Sequence, residues 1–176
     1  MIEQWLNLVD IPATGREFSF HDAQAWAGLW NEFNMDCRED TPLTLTLEVL
    51  PQPTGYLLRG VLQGRVIMAC SRCLQDARVD IDVPFDIFEA FPENPEDMDE
   101  DSFLRSTDGT WELDIAGLMW EQFVLGLPEQ QLCSSTCRGI CPGCGRNLNE
   151  EECVCEQPAP PSGLAALQGL KIPSKK

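Results

Sequence analysis

The sequence predicts an α+β chain: an antiparallel β-sheet or partly open barrel, a few packed helices, and a cysteine-rich zinc knuckle towards the C-terminus. Three observations predict it. Leu43, Leu45, Leu47 and Val49 alternate with Thr44, Thr46 and Glu48, and Val79 through Ile87 alternate with Asp80, Asp82 and Asp86. That is the pattern of half-buried strands. Two other segments, from Asp22 and from Asp114, carry apolar residues at helical spacing. Eight of the nine cysteines fall in four short-range pairs. A chain of 176 residues can bury a core without staples, so these thiols read as metal ligands.

Taken in order, residues 1–20 alternate loosely through Trp5, Leu6, Leu8, Phe18 and Phe20 and can supply strands. A helix runs from Asp22 to Phe33, with Asp22 as N-cap and Ala23, Trp26, Trp30 and Phe33 on its core face. The strand through Leu43–Val49 ends at the turn Pro51-Gln52-Pro53-Thr54-Gly55. Tyr56 to Ala69 forms one long strand or two, with Gly60 and Gly64 marking a bulge or bend. Alternation resumes after Cys70-Ser71-Arg72-Cys73, so this motif is the tip of a hairpin. The acidic run Glu93 to Asp101 reads as a solvated loop. Its carboxylates lack the Gly and closing Glu of a calcium loop. Asp114 caps a second helix with Ile115, Leu118, Met119 and Phe123 on one face, ending near Gly126-Leu127-Pro128. The organisation expected is a core domain at 1–130, a zinc-binding module at 131–156, and a Pro-rich linker with a basic tail at 157–176. Leu164, Leu167 and Leu170 in that tail suit a short amphipathic turn.

The formal net charge is −17, which argues against charge-driven wrapping of nucleic acid. The positive charge is unevenly placed. All three lysines, Lys171, Lys175 and Lys176, lie in the tail, and Arg72, Arg78, Arg138 and Arg146 sit inside or beside cysteine motifs. No apolar run is long enough for a membrane span. Glu3 stands where a secretory signal carries basic residues. The expected compartment is the cytoplasm, where close cysteine pairs stay reduced and bind metal.

The pairs are Cys70-x-x-Cys73, Cys133-x-x-x-Cys137, Cys141-x-x-Cys144 and Cys153-x-Cys155, with Cys37 left over. Four thiolates suit one tetrahedral zinc, so eight make two structural ions. Two partitions stay open. In one, Cys70 and Cys73 join Cys133 and Cys137, while Cys141, Cys144, Cys153 and Cys155 form a local site. In the other, Cys133, Cys137, Cys141 and Cys144 share an ion. Redox chemistry at Cys70/Cys73 is disfavoured, because a strand follows where a helix N-terminus would lower the thiol pKa. Catalytic zinc usually takes His or carboxylate ligands, and the single His21 starts a helix far from the cysteines. No catalytic triad and no phosphate-binding glycine loop is present, so no small-molecule substrate is expected.

The order of motifs carries a resemblance. A strand ends in Cys70-Ser71-Arg72-Cys73-Leu74, and a second strand bears Pro84-Phe85. Leu113-Asp114-Ile115 leads to Gly126-Leu127-Pro128. Then follow Cys133, Cys137-Arg138-Gly139-Ile140-Cys141-Pro142-Gly143-Cys144-Gly145-Arg146-Asn147-Leu148-Asn149 and Cys153-Val154-Cys155. This closely resembles the bacterial YceD family of large ribosomal RNA subunit accumulation proteins. The resemblance implies a non-enzymatic role in accumulation of large-subunit ribosomal RNA and assembly of the large subunit. Some family members keep the first pair but lack the second knuckle, and in some of these His stands where Cys133 and Cys137 stand here. The resemblance thus favours joining Cys70 and Cys73 to Cys133 and Cys137.

Two functions compete. One is a factor that contacts large-subunit ribosomal RNA or its precursor particle through Arg72, Arg78, Arg138, Arg146 and the tail lysines. The other is an adaptor or escort whose acidic surface holds a basic ribosomal protein. A metal-dependent nuclease would need carboxylates clustered on rigid elements, and the densest acidic run, Glu93 to Asp101, reads as a loop.

Overall fold

The computed structural model describes residues 4–92 and 102–155 of the chain. The acidic run at 93–101, the linker at 157–163, Leu164, Leu167, Leu170 and the three lysines lie outside the described residues.

Two antiparallel sheets and two helices make up the described fold, which is not a closed barrel. The larger sheet has four strands in the order β2 (Arg16–Phe20), β3 (Cys37–Gln52), β4 (Gly55–Ala69) and β5 (Asp76–Ala90). The smaller orders β1 (Trp5–Asn7), β7 (Thr110–Asp114) and β6 (Leu104–Thr107). Alternation dictates the faces. Leu43, Leu45, Leu47 and Val49 of β3, with Leu58 and Leu62 of β4, are completely buried on the inner face. On the outer face the register sets Arg59 opposite Asp86, Gln63 opposite Asp82 and Arg65 opposite Asp80, and each of these pairs is bonded.

The helices cover the inner face. α1 (Ala23–Glu32) begins at Asp22, whose carboxylate accepts from the N–H groups of Gln24 and Ala25. α2 (Ile115–Gly126) begins at Asp114, which accepts from Gly117. Trp26 and Trp30 of α1 close on Phe123 of α2, with ring centroids 5.3 and 6.1 Å away. Trp26 and Phe123 are wholly buried.

Three expectations need correction. Ala23 is exposed, and Ala25 and Leu29 complete the core face of α1 instead. Phe33 is 48% exposed, because the helix ends at Glu32 and Phe33 is its C-cap, stacked on Trp120 at 4.2 Å. The turn after β3 is tighter than expected: Gln52 pairs with Gly55, leaving only Pro53 and Thr54 between the strands. Of the two readings of Tyr56 to Ala69 the single long strand holds: β4 pairs without interruption to β5, and the register shift lies in β3, between Glu39 and Thr44, opposite Gly64. Gly64 permits that irregularity: a Cβ there would sit 2.6 Å from the Pro42 carbonyl oxygen.

The β6–β7 hairpin went unread in the sequence. Its turn is Asp108-Gly109, both at positive φ (52° and 78°), the geometry that favours Asp-Gly in two-residue hairpins.

Candidate metal centre

The long β4–β5 hairpin carries Cys70 to Gln75 at its tip, and the chain leaving α2 returns to meet it. Ser71 donates its N–H to the Gln131 carbonyl at 2.8 Å, and its hydroxyl donates to Oε1 of Gln131 at 3.2 Å. This return places Cys133 and Cys137 against Cys70 and Cys73.

The sulfurs form two quartets: Cys70, Cys73, Cys133 and Cys137, then Cys141, Cys144, Cys153 and Cys155. Within each, all ligand atoms lie within 4.8 Å of one another. Cys70 to Cys137 is 3.8 Å, Cys73 to Cys133 3.4 Å, Cys141 to Cys153 3.3 Å and Cys141 to Cys155 3.7 Å. A tetrahedral ion with metal–sulfur bonds of about 2.3 Å requires sulfur separations of about 3.8 Å. Each quartet can therefore hold one metal ion. The alternative sharing of Cys133, Cys137, Cys141 and Cys144 is not the arrangement found.

The two CxxC turns are built alike. Cys70 donates its N–H to the Gln75 carbonyl and accepts from Leu74, while Cys141 donates to the Arg146 carbonyl and accepts from Gly145. Both fourth-following residues take positive φ, 62° at Leu74 and 73° at Gly145. The quartets differ in burial. Cys70, Cys73 and Cys137 are buried in the first, whereas in the second only Cys141 is.

Electrostatics splits each quartet. Burial alone would push the Cys70 thiol up, but backbone N–H groups of Cys133, Arg72 and Cys73 bring it down to about 6. The N–H groups of Cys144 and Gly143 bring Cys141 to about 6. The thiols at Cys73 and Cys144 in turn push Cys133 and Cys155 up to about 12. Thiolates this close repel one another, and a dication at the centre removes that repulsion.

The quartets touch through polar groups. Ile140 donates its N–H to the Arg72 carbonyl at 3.1 Å, and Nη1 of Arg72 donates to the Cys137 carbonyl at 3.1 Å. Gly139, at φ 74°, lets the second knuckle approach: a Cβ there would lie 3.1 Å from the Arg72 carbonyl oxygen. Leu148 donates its N–H to the Gly139 carbonyl at 2.9 Å. Asn149 reaches across to the first quartet, with Nδ2 3.4 Å from the Cys137 sulfur. That bond helps hold the Cys137 thiol below its usual value, against the burial that raises it. The sequence assigns no structural role to Leu74 or Gly139, and places Asn149 only in a short hairpin through Arg146-Asn147-Leu148-Asn149 that returns Cys153 and Cys155 to the second knuckle. The available signal was the Asn147-Leu148-Asn149 turn after the second knuckle, since Asn side chains favour local backbone bonds.

The arginines divide. Arg72, Arg138 and Arg146 lie on the cysteine-bearing segments. Arg146 pairs with Glu151 at 3.3 Å, and the Arg138 side chain is exposed with no ion pair among the described residues. Arg78 stands on β5, 3.8 Å from Asp40, and lines a shallow hollow with Cys133. His21 is at a strand-to-helix junction, 3.3 Å from the Leu43 carbonyl, and belongs to neither quartet. Cys37 is separate as well, and burial pushes its thiol up to about 12. No helix among the described residues is long and apolar enough to cross a membrane.

Comparison with known proteins places the chain. The family model for Large ribosomal RNA subunit accumulation protein YceD matches residues 58–171. An uncharacterized protein of Mycobacterium tuberculosis is 31% identical over 111 residues, covering 62% of this chain and 53% of that protein. The large ribosomal RNA subunit accumulation protein YCED homolog 1, chloroplastic, of Arabidopsis thaliana is 22% identical over 162 residues, 77% of this chain and 50% of that one. Its Zea mays counterpart is 24% identical over 158 residues, 74% and 54%. The chain spans about half the length of the curated relatives it matches. No solved structure matches. The matched segment contains both quartets in full, and the chain belongs to the YceD family of large ribosomal RNA subunit accumulation proteins.

Proposed function

We propose that this protein is a non-enzymatic factor that supports accumulation of large-subunit ribosomal RNA, with two structural zinc ions shaping its contact surface. The observation that carries the zinc reading is the closure of all eight paired thiols into two quartets at tetrahedral spacing. Thiolate softness and tetrahedral placement favour zinc over harder ions. Neither quartet includes a His or carboxylate, which suits closed, structural sites more than catalytic ones. In this reading residues 131–156 form the zinc-binding module, and the first ion clips it to the hairpin of the core domain at 1–130.

The partner proposed is large-subunit ribosomal RNA or its precursor particle in the cytoplasm, contacted through Arg72, Arg138 and Arg146, with Arg78 at the margin. The sheet arginines Arg59 and Arg65 are already paired across strands and Arg146 is paired with Glu151, so the exposed Arg138 is the more available cation among them. Each zinc tetrathiolate would be a dianion, however, and these arginines also offset that charge. A net charge of −17 favours a second reading, an adaptor that escorts a basic ribosomal protein.

Co-sedimentation with large-subunit precursor particles tests the choice. RNA contact predicts binding whose salt slope falls by about 2 when Arg138→Ala and Arg146→Ala are combined, roughly one per lost phosphate contact. Capture of a basic ribosomal protein without RNA binding supports the second reading, and cleavage of the RNA contradicts both.

A further inference from the structure

The side chain of Asn149 joins the two quartets into one bonded unit. Its Oδ1 accepts the Arg138 N–H at 2.7 Å. That donor fixes the orientation of the amide, so Nδ2 carries the hydrogens facing the other way. One goes to the Cys137 sulfur at 3.4 Å and the other to Oδ1 of Asn147 at 2.8 Å. Oδ1 of Asn147 also accepts the Asn149 N–H at 3.1 Å, which locks the turn. Both donors of the amide and one of its two acceptor positions are thus spent on one geometry.

The second quartet holds that geometry in place. Asn149 lies between Cys144 and Cys153, in the stretch that links the two halves of that quartet. The stretch is tied at its start by the Ile140–Asn147 bridge and at its end by a sulfur 3.3 Å from Cys141. Without an ion, the second quartet has only one buried sulfur, Cys141, and no metal–sulfur bond to close this loop. With one, the loop is closed and Asn149 is held against Cys137. The side chain therefore responds to one centre and acts on a ligand of the other.

We propose that Asn149 is a positioning residue that couples the two metal centres: an ion in the second centre strengthens the first by holding an N–H donor on the Cys137 thiolate. The inference rests on the zinc reading above. A donor to a metal-bound thiolate relieves its charge and orients it, and loss of such an outer partner typically lowers metal affinity about 10- to 100-fold. By linkage, an ion in the first centre strengthens the second by the same factor.

The test uses the full chain loaded with cadmium-113, whose two centres give separate NMR signals, and zinc competition against a chelator. Asn149→Ala is expected to move the first-centre signal, leave the second-centre signal in place, and weaken first-centre zinc binding about 10-fold. Asn149→Asp keeps the shape but sets an acceptor against the thiolate, and weakens it further. Cys153→Ser opens the second centre with Asn149 intact, and should also weaken the first about 10-fold. It keeps the question answerable if Asn149→Ala fails to fold. First-centre affinity unchanged in a Cys153→Ser variant that has lost the second ion, or in a folded Asn149→Ala that still binds two ions, would overturn the coupling while leaving the zinc reading intact. An unsubstituted chain that binds no cadmium or zinc overturns the zinc reading and the coupling together.

Discussion

Leu74 and Gly145 hold equivalent positions in two like-built knuckles. Each follows a CxxC pair, each takes positive φ, and each donates its N–H to the carbonyl of the first cysteine. Glycine adopts this conformation freely, whereas leucine pays a steric cost of about 1 kcal/mol. Leu74 gains little in return from packing, being 69% exposed. Leu74→Gly is therefore expected to stabilise the metal-loaded protein by roughly 0.5–1 kcal/mol. Denaturant unfolding at fixed metal concentration checks this, and a destabilised variant would show that the leucine makes contacts the fold relies on.

The strand faces, the two helix starts and the cysteine pairs were legible because each is a local pattern. Leu43, Leu45, Leu47 and Val49 needed only alternation, and Asp22 and Asp114 needed only their place before an apolar period. Joining Cys70 and Cys73 to Cys133 and Cys137 is less direct: closing Cys153 and Cys155 onto Cys141 and Cys144 by a short hairpin leaves these four together, and the family resemblance supports it, but the rival sharing stays open until the structure. What stayed hidden was tertiary. The strain at Leu74 is a backbone angle, and the bond from Asn149 to Cys137 depends on how two knuckles dock. Phe33 misled for a related reason: its spacing fits the helix face, but the helix stops one residue earlier. The Asp108-Gly109 hairpin is signalled by its turn dipeptide alone, its strands being too short for alternation to show.

Cys37 should behave unlike the other eight cysteines. Its thiol is pushed up to about 12, first by burial and then by the charge of Asp36, so little thiolate exists at pH 8. In the metal-loaded folded protein, alkylation should be slow everywhere. Chelation should speed the labelling of the quartet thiols and leave the rate at Cys37 unchanged, as read by mass spectrometry of the labelled peptides. Rapid labelling of Cys37 before chelation would contradict this.

Metal loading should release protons. In the metal-free fold Cys133 and Cys155 are held up to about 12 and stay protonated at neutral pH. Binding needs thiolates, so these protons must leave. The sign follows: apparent affinity rises with pH and falls as the solution is acidified. A pH indicator in weakly buffered solution should report acidification on adding zinc, and loading without proton release would contradict the tetrathiolate sites.

Phe123 joins the two helices through Trp26 and Trp30 and is wholly buried. Phe123→Ala should cost about 3–5 kcal/mol of stability. It should also loosen the return of residues 127–132 to the hairpin tip, so zinc retention at the first centre falls further than that at the second, which loses only the coupling. Equal loss at both centres would show that the core does not position the first one selectively.

The most direct measurement of the central claim is native mass spectrometry of the reduced full chain, with elemental analysis to name the metal. Two zinc ions per chain are expected, falling to one in Cys73→Ser and to one in Cys144→Ser. A single ion in the unsubstituted protein, or none, would contradict two separate tetrathiolate centres.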